Sequence, residues 1–419
     1  MVDRLPIDDV LQQLTDALAG QRRAVLRAPP GAGKTTRVPL ALLKSGLTQG
    51  RIVMLEPRRL ATRAAARTMA AALSESVGQT VGFRVRGETR VSKATRIEVV
   101  TEGILTRMIQ SDPGLEGIGA LVFDEFHERS LNADLGLALA LECRTALRQD
   151  LILLVMSATI DVAPVAALMG NAPIITSEGR SYPVDTRWLD RPRHGQVESG
   201  MVGLVKKAAK ETSGGILAFL PGEREIRSVN ASLDLPATAI LPLYGSLPFA
   251  EQDRAFEPTD MRKVVLATSI AETSLTVPGI RVVIDSGYTR RARFDPGSGM
   301  SRLVTERVTR AEAEQRRGRA GRVADGVCYR LWTKGEEGAL AQFAPPEIET
   351  GDLAGLALEL AEWGACDLSF LTPPPDGPLS DARALLVDLG AVEGTRITDH
   401  GRALARLPLH PRLGHMLAL

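Results

Sequence analysis

The stretch AVLRAPPGAGKTT, residues 24–36, joins a short apolar run to a glycine-rich turn and the start of a helical pattern. In such a turn, backbone N–H groups converge on phosphate oxygens at the positive end of the following helix. Lys34 would reach the outer phosphates of a nucleotide, and the hydroxyl of Thr35 would bind Mg²⁺. The alternative interpretation is an ordinary glycine-rich connection with an exposed lysine.

The turn departs at one place from the usual G-x-x-x-x-G-K-[ST] pattern, because Ala28 stands at its first glycine. Gly31 and Gly33 remain at the positions where the backbone bends most closely around the phosphates. We therefore expect the loop to bind a nucleoside triphosphate, and we include Thr36 among the nucleotide-binding residues.

Apolar runs and helical patterns alternate on either side of this loop. The runs of the first part are AVLRAP (24–29), RIVMLEP (51–57), RIEVVTEG (96–103), ALVFDE (120–125) and LILLVMSAT (151–159). Those of the second part are GILAFLPG (215–222), TAILPLYG (238–245), KVVLATS (263–269) and IRVVIDSG (280–287). This βαβ alternation predicts parallel sheets covered by helices, and hence an α/β fold with two tandem parallel-sheet domains.

The predicted domain boundaries follow changes in composition. A linker rich in Gly, Pro and Arg at 179–200 separates the two α/β domains, which we place at residues 1–178 and 179–344. Helical stretches punctuated by proline then predict a small helical domain at 345–405. Residues 406–419 carry a helical pattern without a stop signal, so we expect them to begin a further domain of a longer protein.

Composition excludes several classes of protein. The chain has 419 residues, a formal net charge of +1 at pH 7, 44% hydrophobic residues and three cysteines. These values fit neither a disordered nor a collagen-like chain, and the cysteines lack metal-ligand spacing. The N-terminus lacks an apolar signal segment, and no run approaches the ~20 apolar residues of a membrane span. We expect a cytoplasmic protein without a membrane partner.

A second candidate for catalysis is LVFDEFHERS, residues 121–130, which places two carboxylates at the end of an apolar strand. Strand ends in a parallel sheet open onto the ligand crevice, so Asp124 can hold Mg²⁺ and Glu125 can take a proton from attacking water. His127 beside them is a candidate for coupling between domains. The alternatives are a helix N-terminus that favours acidic residues, and a solvated loop histidine.

The third candidate is QRRGRAGR, residues 315–322. If the run is helical, Arg319 and Arg322 lie on one face and can reach a polyphosphate from across a cleft, as arginine fingers do. Gln315 could orient a water molecule. Read alone, the run could equally be a solvated basic helix or a nucleic-acid patch.

Taken together, these three motifs resemble those of superfamily 2 helicases. Further motifs resemble the DEAH/RHA branch and its bacterial HrpB group of ATP-dependent RNA helicases. They are EPRR (56–59), TEGIL (101–105), DEFHERSL (124–131), MSAT (156–159), FLPG (219–222), YGSLP (244–248), ATSIAETSLTVPGI (267–280) and FDPGSGMSRL (294–303). The resemblance implies two RecA-like domains, ATP or another nucleoside triphosphate with Mg²⁺ as cofactors, and single-stranded RNA as partner, with single-stranded DNA a second candidate.

The resemblance also implies roles for individual residues. The positions that match nucleic-acid-binding motifs are Arg59, Thr101, Gly222 and Thr268. Ser157 and Thr159 match the motif that couples hydrolysis to domain movement. Residues 288–304 fall where the family carries a strand-separating β-hairpin, and 345–405 resemble its winged-helix domain. We expect a monomer.

The adenine site is a departure from the family pattern. Members stack the base between an arginine and a phenylalanine of the second domain. The arginine position holds Thr68 here, with Arg67 one residue early, whereas Phe256 keeps its place. We therefore expect poor discrimination among the four nucleoside triphosphates.

The sequence supports one function and leaves two alternatives. The favoured function is an NTP-hydrolysing RNA helicase that moves along single-stranded RNA. One alternative is an NTP-switched clamp or remodelling scaffold that does not unwind. The other is a small-molecule kinase, which explains neither the second α/β domain nor QRRGRAGR.

Overall fold

The computed structural model describes residues 4–158, 161–179, 182–192, 195–272, 277–295, 297–364 and 368–418. These residues form two parallel β-sheets with flanking helices, followed by a mainly helical region. The predicted α/β class with two tandem parallel-sheet domains is confirmed. Among the described residues, no helix is both long and apolar enough to cross a bilayer.

The first domain is built on eight strands. They are β1 Arg23–Arg27, β2 Arg51–Leu55, β3 Val81–Val85, β4 Glu88–Arg90, β5 Ile97–Val100, β6 Ile118–Phe123, β7 Ile152–Ser157 and β8 Ile174–Thr176. Their order in the sheet is β4-β3-β5-β2-β6-β7-β1-β8, with only the β3–β4 pair antiparallel. The helices are α1 Leu11–Gln21, α2 Lys34–Ser45, α3 Arg59–Ala72, α4 Glu102–Ser111, α5 Leu131–Ala146 and α6 Ala163–Leu168.

The second domain has a six-stranded parallel sheet and a separate hairpin. The strands are β9 Val184–Leu189, β10 Gly215–Phe219, β11 Thr238–Leu243, β12 Arg262–Ala267, β13 Ile280–Asp285, β14 Tyr288–Asp295, β15 Met300–Arg307 and β16 Gly326–Thr333. The sheet order is β11-β12-β10-β13-β16-β9, and β14 pairs with β15 as the antiparallel hairpin. The helices are α7 Val197–Glu211, α8 Glu223–Ser232, α9 Phe249–Arg254, α10 Arg310–Gly318 and α11 Lys334–Gly338.

The C-terminal region is helical apart from one short hairpin. Its elements are α12 Glu347–Thr350, α13 Ala354–Trp363, α14 Asp376–Asp388, β17 Val392–Glu393, β18 Arg396–Ile397, α15 Asp399–Arg406 and α16 Pro411–Ala418. Short 3₁₀ turns occur at Pro6–Asp9, Phe126–Glu128 and Ser269–Ala271.

All nine predicted strands are present, and each ends two or three residues before the end of the predicted run. Among the described residues, these extra residues form turns or begin the next helix at the carboxyl edges of the sheets, where ligand crevices lie in parallel-sheet proteins. Strand β9 is a difference from the prediction, because it lies inside the expected linker at 179–200. It lies at the edge of the described sheet, paired with β16, and its alternating half-buried pattern differs from the continuous apolar run of a central strand.

The first sheet is buried on both faces. Val53 points into one apolar core and its neighbour Ile52 into the other. The core on the Val53 side continues into the C-terminal region through Ile348 and Leu386. The C-terminal region therefore packs against the first domain and shares its apolar core.

Candidate functional site

The loop between β1 and α2 is built around two left-handed glycines. Gly31 has φ 86° and Gly33 has φ 94°, a backbone region in which other residues are strained. Gly33 is the N-cap residue of α2, so the positive end of this helix lies at the loop. The loop and the helix end together form a site suited to phosphate.

Two carboxylates meet this loop from the end of β6. Because β1 and β6 are parallel members of one sheet, their carboxyl ends reach the same edge. The hydroxyl of Thr35 donates a hydrogen bond to Oδ2 of Asp124 at 2.5 Å. The ammonium of Lys34 donates to Oε1 of Glu125 at 2.7 Å. The structure thus brings together the four residues that the sequence placed in two separate motifs.

The charged groups of this cluster shift one another's pKa values. Burial raises the pKa of Asp124, and the attraction of Lys34 offsets only part of that effect. Burial acts on Glu125 in the same direction, but the charge of Lys34 and its hydrogen bond outweigh burial and lower the pKa of Glu125. Burial would lower the pKa of Lys34, but both carboxylates raise it above its usual range. At neutral pH, Glu125 is therefore an ionised carboxylate paired with an ammonium.

His127 connects the two domains. Its Nε2 lies 2.8 Å from Nε2 of Gln315 in the second domain. Its Nδ1 accepts a 3.4 Å hydrogen bond from the backbone N–H of Ala158, and it also lies 3.4 Å from Oε2 of Glu125. Burial lowers the pKa of His127, which favours a neutral ring.

The prediction that Arg319 and Arg322 share a helix face is wrong. Helix α10 ends at Gly318, Arg319 is its C-cap, and Arg322 lies beyond the helix. Beyond Gly318, the N–H groups of Ala320 and Gly321 donate to carbonyl oxygens three residues earlier, and the backbone of Gly321 packs against Tyr182, where a Cβ would lie 2.6 Å from the carbonyl oxygen. A loop after the helix, and not the helix itself, carries Arg322 to the first domain.

Both arginines nevertheless lie at the same site. A Cβ built on Gly31 would lie 3.5 Å from Nε of Arg322, so this guanidinium rests against the phosphate loop. Nε of Arg319 donates to the backbone oxygen of Glu272 at 2.8 Å. Burial lowers the pKa of Arg322 to about 10, and burial followed by repulsion from Arg322 lowers that of Arg319. A bound anion would favour the charged form of both.

A cavity of about 470 Å³ joins these groups. It is lined on the first-domain side by Gly31, Gly33, Lys34, Thr35, Thr36, Ala64, Ala65, Thr68 and Glu125, and on the other side by Phe256 and Arg322. The volume is in the range of small-molecule sites. Arg67 instead forms an ion pair with Asp253, with 3.1 Å between Nη1 and Oδ2. Thr68 and Phe256 thus face the same cavity, as the sequence placed them.

Two further arginines, not singled out from the sequence, bind residues on the second-domain side of the site. Arg316 is fully buried, and it donates to Glu272 at 2.5 Å and to Asp285 at 2.6 Å. Arg58 pairs with Glu128 at 3.2 Å and also donates to a backbone oxygen of the second domain, that of Ser269. Arg58 lies in the motif EPRR and Arg316 in the motif QRRGRAGR. Each motif contains other arginines, and the sequence alone does not show which arginine has which role.

The four predicted nucleic-acid residues do not all lie together. Arg59 and Thr268 line one groove of about 620 Å³ between the domains. Among the residues that the structure describes along this groove, neither Thr101 nor Gly222 is a lining residue. Thr101 is the N-cap residue of α4. Gly222 is packed against Arg290, whose Nη1 would lie 2.3 Å from an added Cβ.

The coupling motif is described only in part. Ser157 is the buried last residue of β7, and its carbonyl oxygen accepts a 3.0 Å hydrogen bond from the N–H of Ala28. It therefore holds the start of the phosphate loop. Thr159 lies outside the described residues.

Comparisons with known proteins relate both α/β domains to helicases. The family described as DEAD/DEAH box helicase matches residues 9–168, and the helicase conserved C-terminal domain matches residues 201–324. The ATP-dependent RNA helicase HrpB of Escherichia coli (strain K12) is 47% identical over 421 residues, which cover 99% of this chain and 52% of that protein. The ATP-dependent RNA helicase HrpA of the same strain is 37% identical, covering 99% of this chain and 33% of its own length.

Solved structures give the same result. The crystal structure of the Escherichia coli DEAH/RHA helicase HrpB superposes with a TM-score of 0.93 at 46% identity, covering 99% of this chain and 54% of that one. The chain spans about half the length of HrpB. The two domains of this RecA-like tandem fold are thus, in order, a DEAD/DEAH box helicase domain and a helicase conserved C-terminal domain.

Proposed function

We propose that this chain hydrolyses nucleoside triphosphates in the 470 Å³ cavity and uses hydrolysis to move along single-stranded RNA. One observation carries the proposal most strongly. Arg322 of the second domain rests against Gly31 of the first, where Lys34 and Glu125 also meet. A polyphosphate bound there would contact both domains, so its hydrolysis would change how they fit together.

Nucleotide binding would rearrange one ion pair. In the present structure Lys34 lies 2.7 Å from Glu125. A bound triphosphate offers Lys34 a more highly charged partner, so we expect its ammonium to turn from the carboxylate to the outer phosphates. Glu125 would then be free to accept a proton from the attacking water.

The residues present fit a Mg²⁺ ion. The hydroxyl of Thr35 and the carboxylate of Asp124 are hard oxygen donors whose oxygens lie 2.5 Å apart at the cavity. When bound with the nucleotide, the ion would neutralise phosphate charge. Asp124 also accepts a hydrogen bond from the N–H of Glu125 at 2.8 Å, which fixes its orientation.

The remaining groups would act on the transferring phosphate. Arg322, and Arg319 beside it, would stabilise the negative charge that develops on the phosphate oxygens. Gln315 and His127 would transmit changes at the nucleotide site from one domain to the other, since their side chains are 2.8 Å apart. Among the described residues that line the cavity, Phe256 offers an aromatic face, on which any base could stack.

The groove that contains Arg59 and Thr268 is our candidate for the RNA path. Contacts there would be mainly to phosphate and sugar, and such contacts carry little sequence information. Single-stranded DNA could use the same contacts. The boundaries 1–178, 179–344, 345–405 and 406–419, and a winged-helix identity for 345–405, belong to the same proposal; the hairpin of β17 and β18 between α14 and α15 supports it.

A hydrolysis assay with and without single-stranded RNA tests this function. We expect RNA to stimulate ATP hydrolysis, and binding to weaken steeply with salt because phosphate contacts release counterions. Absence of hydrolysis by the wild-type chain would refute the proposal. A tailed duplex then separates the two remaining functions: stimulated hydrolysis without strand separation would favour the NTP-switched clamp.

A further inference from the structure

The turn that carries Glu125 is strained at both ends. Glu125 has φ 50° and Arg129 has φ 48°, so two residues with side chains adopt the left-handed conformation on either side of the 3₁₀ turn Phe126–Glu128. Such residues persist only where surrounding contacts hold them. Within the turn, the N–H groups of Glu128 and Arg129 donate to the carbonyl oxygens of Glu125 and Phe126.

Two further hydrogen bonds on this turn come from the C-terminal region. The N–H of Glu347 donates to the carbonyl oxygen of Arg129 at 3.1 Å. The carboxylate of Glu347 accepts from the N–H of Leu131, the first residue of α5, at 2.9 Å. A single residue therefore binds the backbone on both sides of Ser130, and its negative charge lies at the positive end of α5.

The side chain of Arg129 adds a third link. Its guanidinium makes a paired contact with Asp134, 2.9 Å from Nε to Oδ1 and 2.9 Å from Nη2 to Oδ2. Its Nη2 also donates to the hydroxyl of Thr372 at 2.8 Å. Arg129 is thus held from α5 and from the C-terminal region together.

The position of Glu347 is itself fixed. It follows Pro345 and Pro346, whose restricted backbones limit the approach of the chain, and it precedes Ile348, which is fully buried in the core shared with the first domain. On the side away from Glu347, Glu125 at the start of this turn contacts Lys34, and His127 within it contacts Gln315. The turn therefore has the nucleotide cavity on one side and the C-terminal region on the other.

We propose that Glu347 is a positioning residue for hydrolysis, which acts by holding the strained turn that carries Glu125. This inference rests on the proposed function. It predicts that the C-terminal region sets the turnover of the nucleotide site without touching the nucleotide. Thr372 contributes to the same effect through Arg129.

Steady-state hydrolysis by Glu347→Ala tests the proposal, with Glu349→Ala, a second exposed glutamate of α12, as the matched control. We expect kcat to fall at least about fivefold in Glu347→Ala, since displacing a catalytic group by about 1 Å can cost on the order of 100-fold. KM should stay within about twofold, because Lys34 and Thr35 are unaffected. Glu347→Gln retains an oxygen acceptor for Leu131 and should recover most of the lost kcat.

Hydrogen exchange at residues 126–131 supplies a readout that does not depend on hydrolysis. Exchange should accelerate in Glu347→Ala and in Thr372→Val, but not in Glu349→Ala. If wild-type protein hydrolyses ATP and the kcat of Glu347→Ala equals that of the control, the positioning role is overturned, whatever the exchange shows. If wild-type protein hydrolyses no nucleotide, the proposed function and this role both fall, although faster exchange would still show that Glu347 holds the turn.

Discussion

The side chains of His127 and Gln315 lie 2.8 Å apart, and the contact joins the two sheet domains directly behind Glu125. His127 belongs to the turn after β6, and Gln315 belongs to α10. If the pair transmits the state of the nucleotide site, the two residues should act as one unit. Burial, by lowering the pKa of His127, favours the neutral ring in this contact.

We therefore predict that His127→Ala and Gln315→Ala each reduce RNA-stimulated kcat, and that the double variant is little worse than either single one. Residues in direct contact typically show interaction energies of about 0.5–3 kcal/mol in such cycles. The cycle is measured from kcat with saturating RNA. Fully additive effects would show that the two side chains work independently.

Glu125→Gln should remove most turnover while nucleotide affinity stays equal or becomes tighter. General-base catalysis contributes ~10²–10⁴-fold. The neutral amide also competes less for Lys34, which now lies 2.7 Å from the carboxylate. Single-turnover hydrolysis and nucleotide binding measure the two effects, with the exposed Glu116→Gln as control. Unchanged hydrolysis would rule out Glu125 as the base.

Arg322→Ala should lower kcat on the order of 10³-fold, by analogy with other arginine fingers. Arg322→Lys should be intermediate, because it keeps the charge and loses the planar guanidinium. The Cβ of residue 322 is retained in both, so the fold should survive; circular dichroism and thermal melting check this. A variant with normal hydrolysis and weakened RNA binding would instead make this loop part of the nucleic-acid surface.

Nucleotide choice should be weak. Phe256 and Thr68 line the cavity, and stacking on one aromatic face accepts any base. Phe256→Ala should therefore raise KM for ATP, GTP, CTP and UTP by similar factors. Competition among the four at equal Mg²⁺ is the measurement. A preference for ATP above about tenfold, worth ~1.4 kcal/mol, would reveal a base-reading contact.

Glu102 should make stability depend on pH. Burial, together with repulsion from Glu128 and Glu347, raises the pKa of Glu102 to about 8, although a 2.5 Å hydrogen bond from Ser130 opposes the shift. Between the ordinary glutamate pKa and about 8, the unfolded chain releases a proton that the folded chain retains. Stability should therefore fall as pH rises through this window and level off above it.

Glu102→Gln mimics the protonated acid, so its stability should lack the pH dependence that Glu102 causes. Urea unfolding of both proteins from pH 5 to 9 gives the difference in free energy of unfolding, whose slope cannot exceed about 1.4 kcal/mol per pH unit for one proton. Parallel curves for the two proteins would mean that Glu102 has an ordinary pKa in the folded state.

The sequence by itself determined the fold class and the main groups of the nucleotide site. Fully buried parallel strands require continuous apolar runs, and a phosphate loop requires glycines at φ values that other residues resist, so both leave local patterns that can be read. The meeting of the phosphate loop with Asp124 and Glu125 also follows from the sequence, because parallel strands bring their carboxyl ends to one edge.

Tertiary structure decided what local patterns do not encode. Helix α10 ends at Gly318, and Gly321 beyond it packs against Tyr182, which is far away in the chain, so spacing alone wrongly placed Arg319 and Arg322 on one helix face. The edge strand β9 was not predicted, because a half-buried strand lacks the continuous apolar run by which the other strands were recognised. Glu347 is one of many exposed acidic residues in the sequence, and only the fold brings it to Arg129 and Leu131, where it makes long-range hydrogen bonds to their backbone groups.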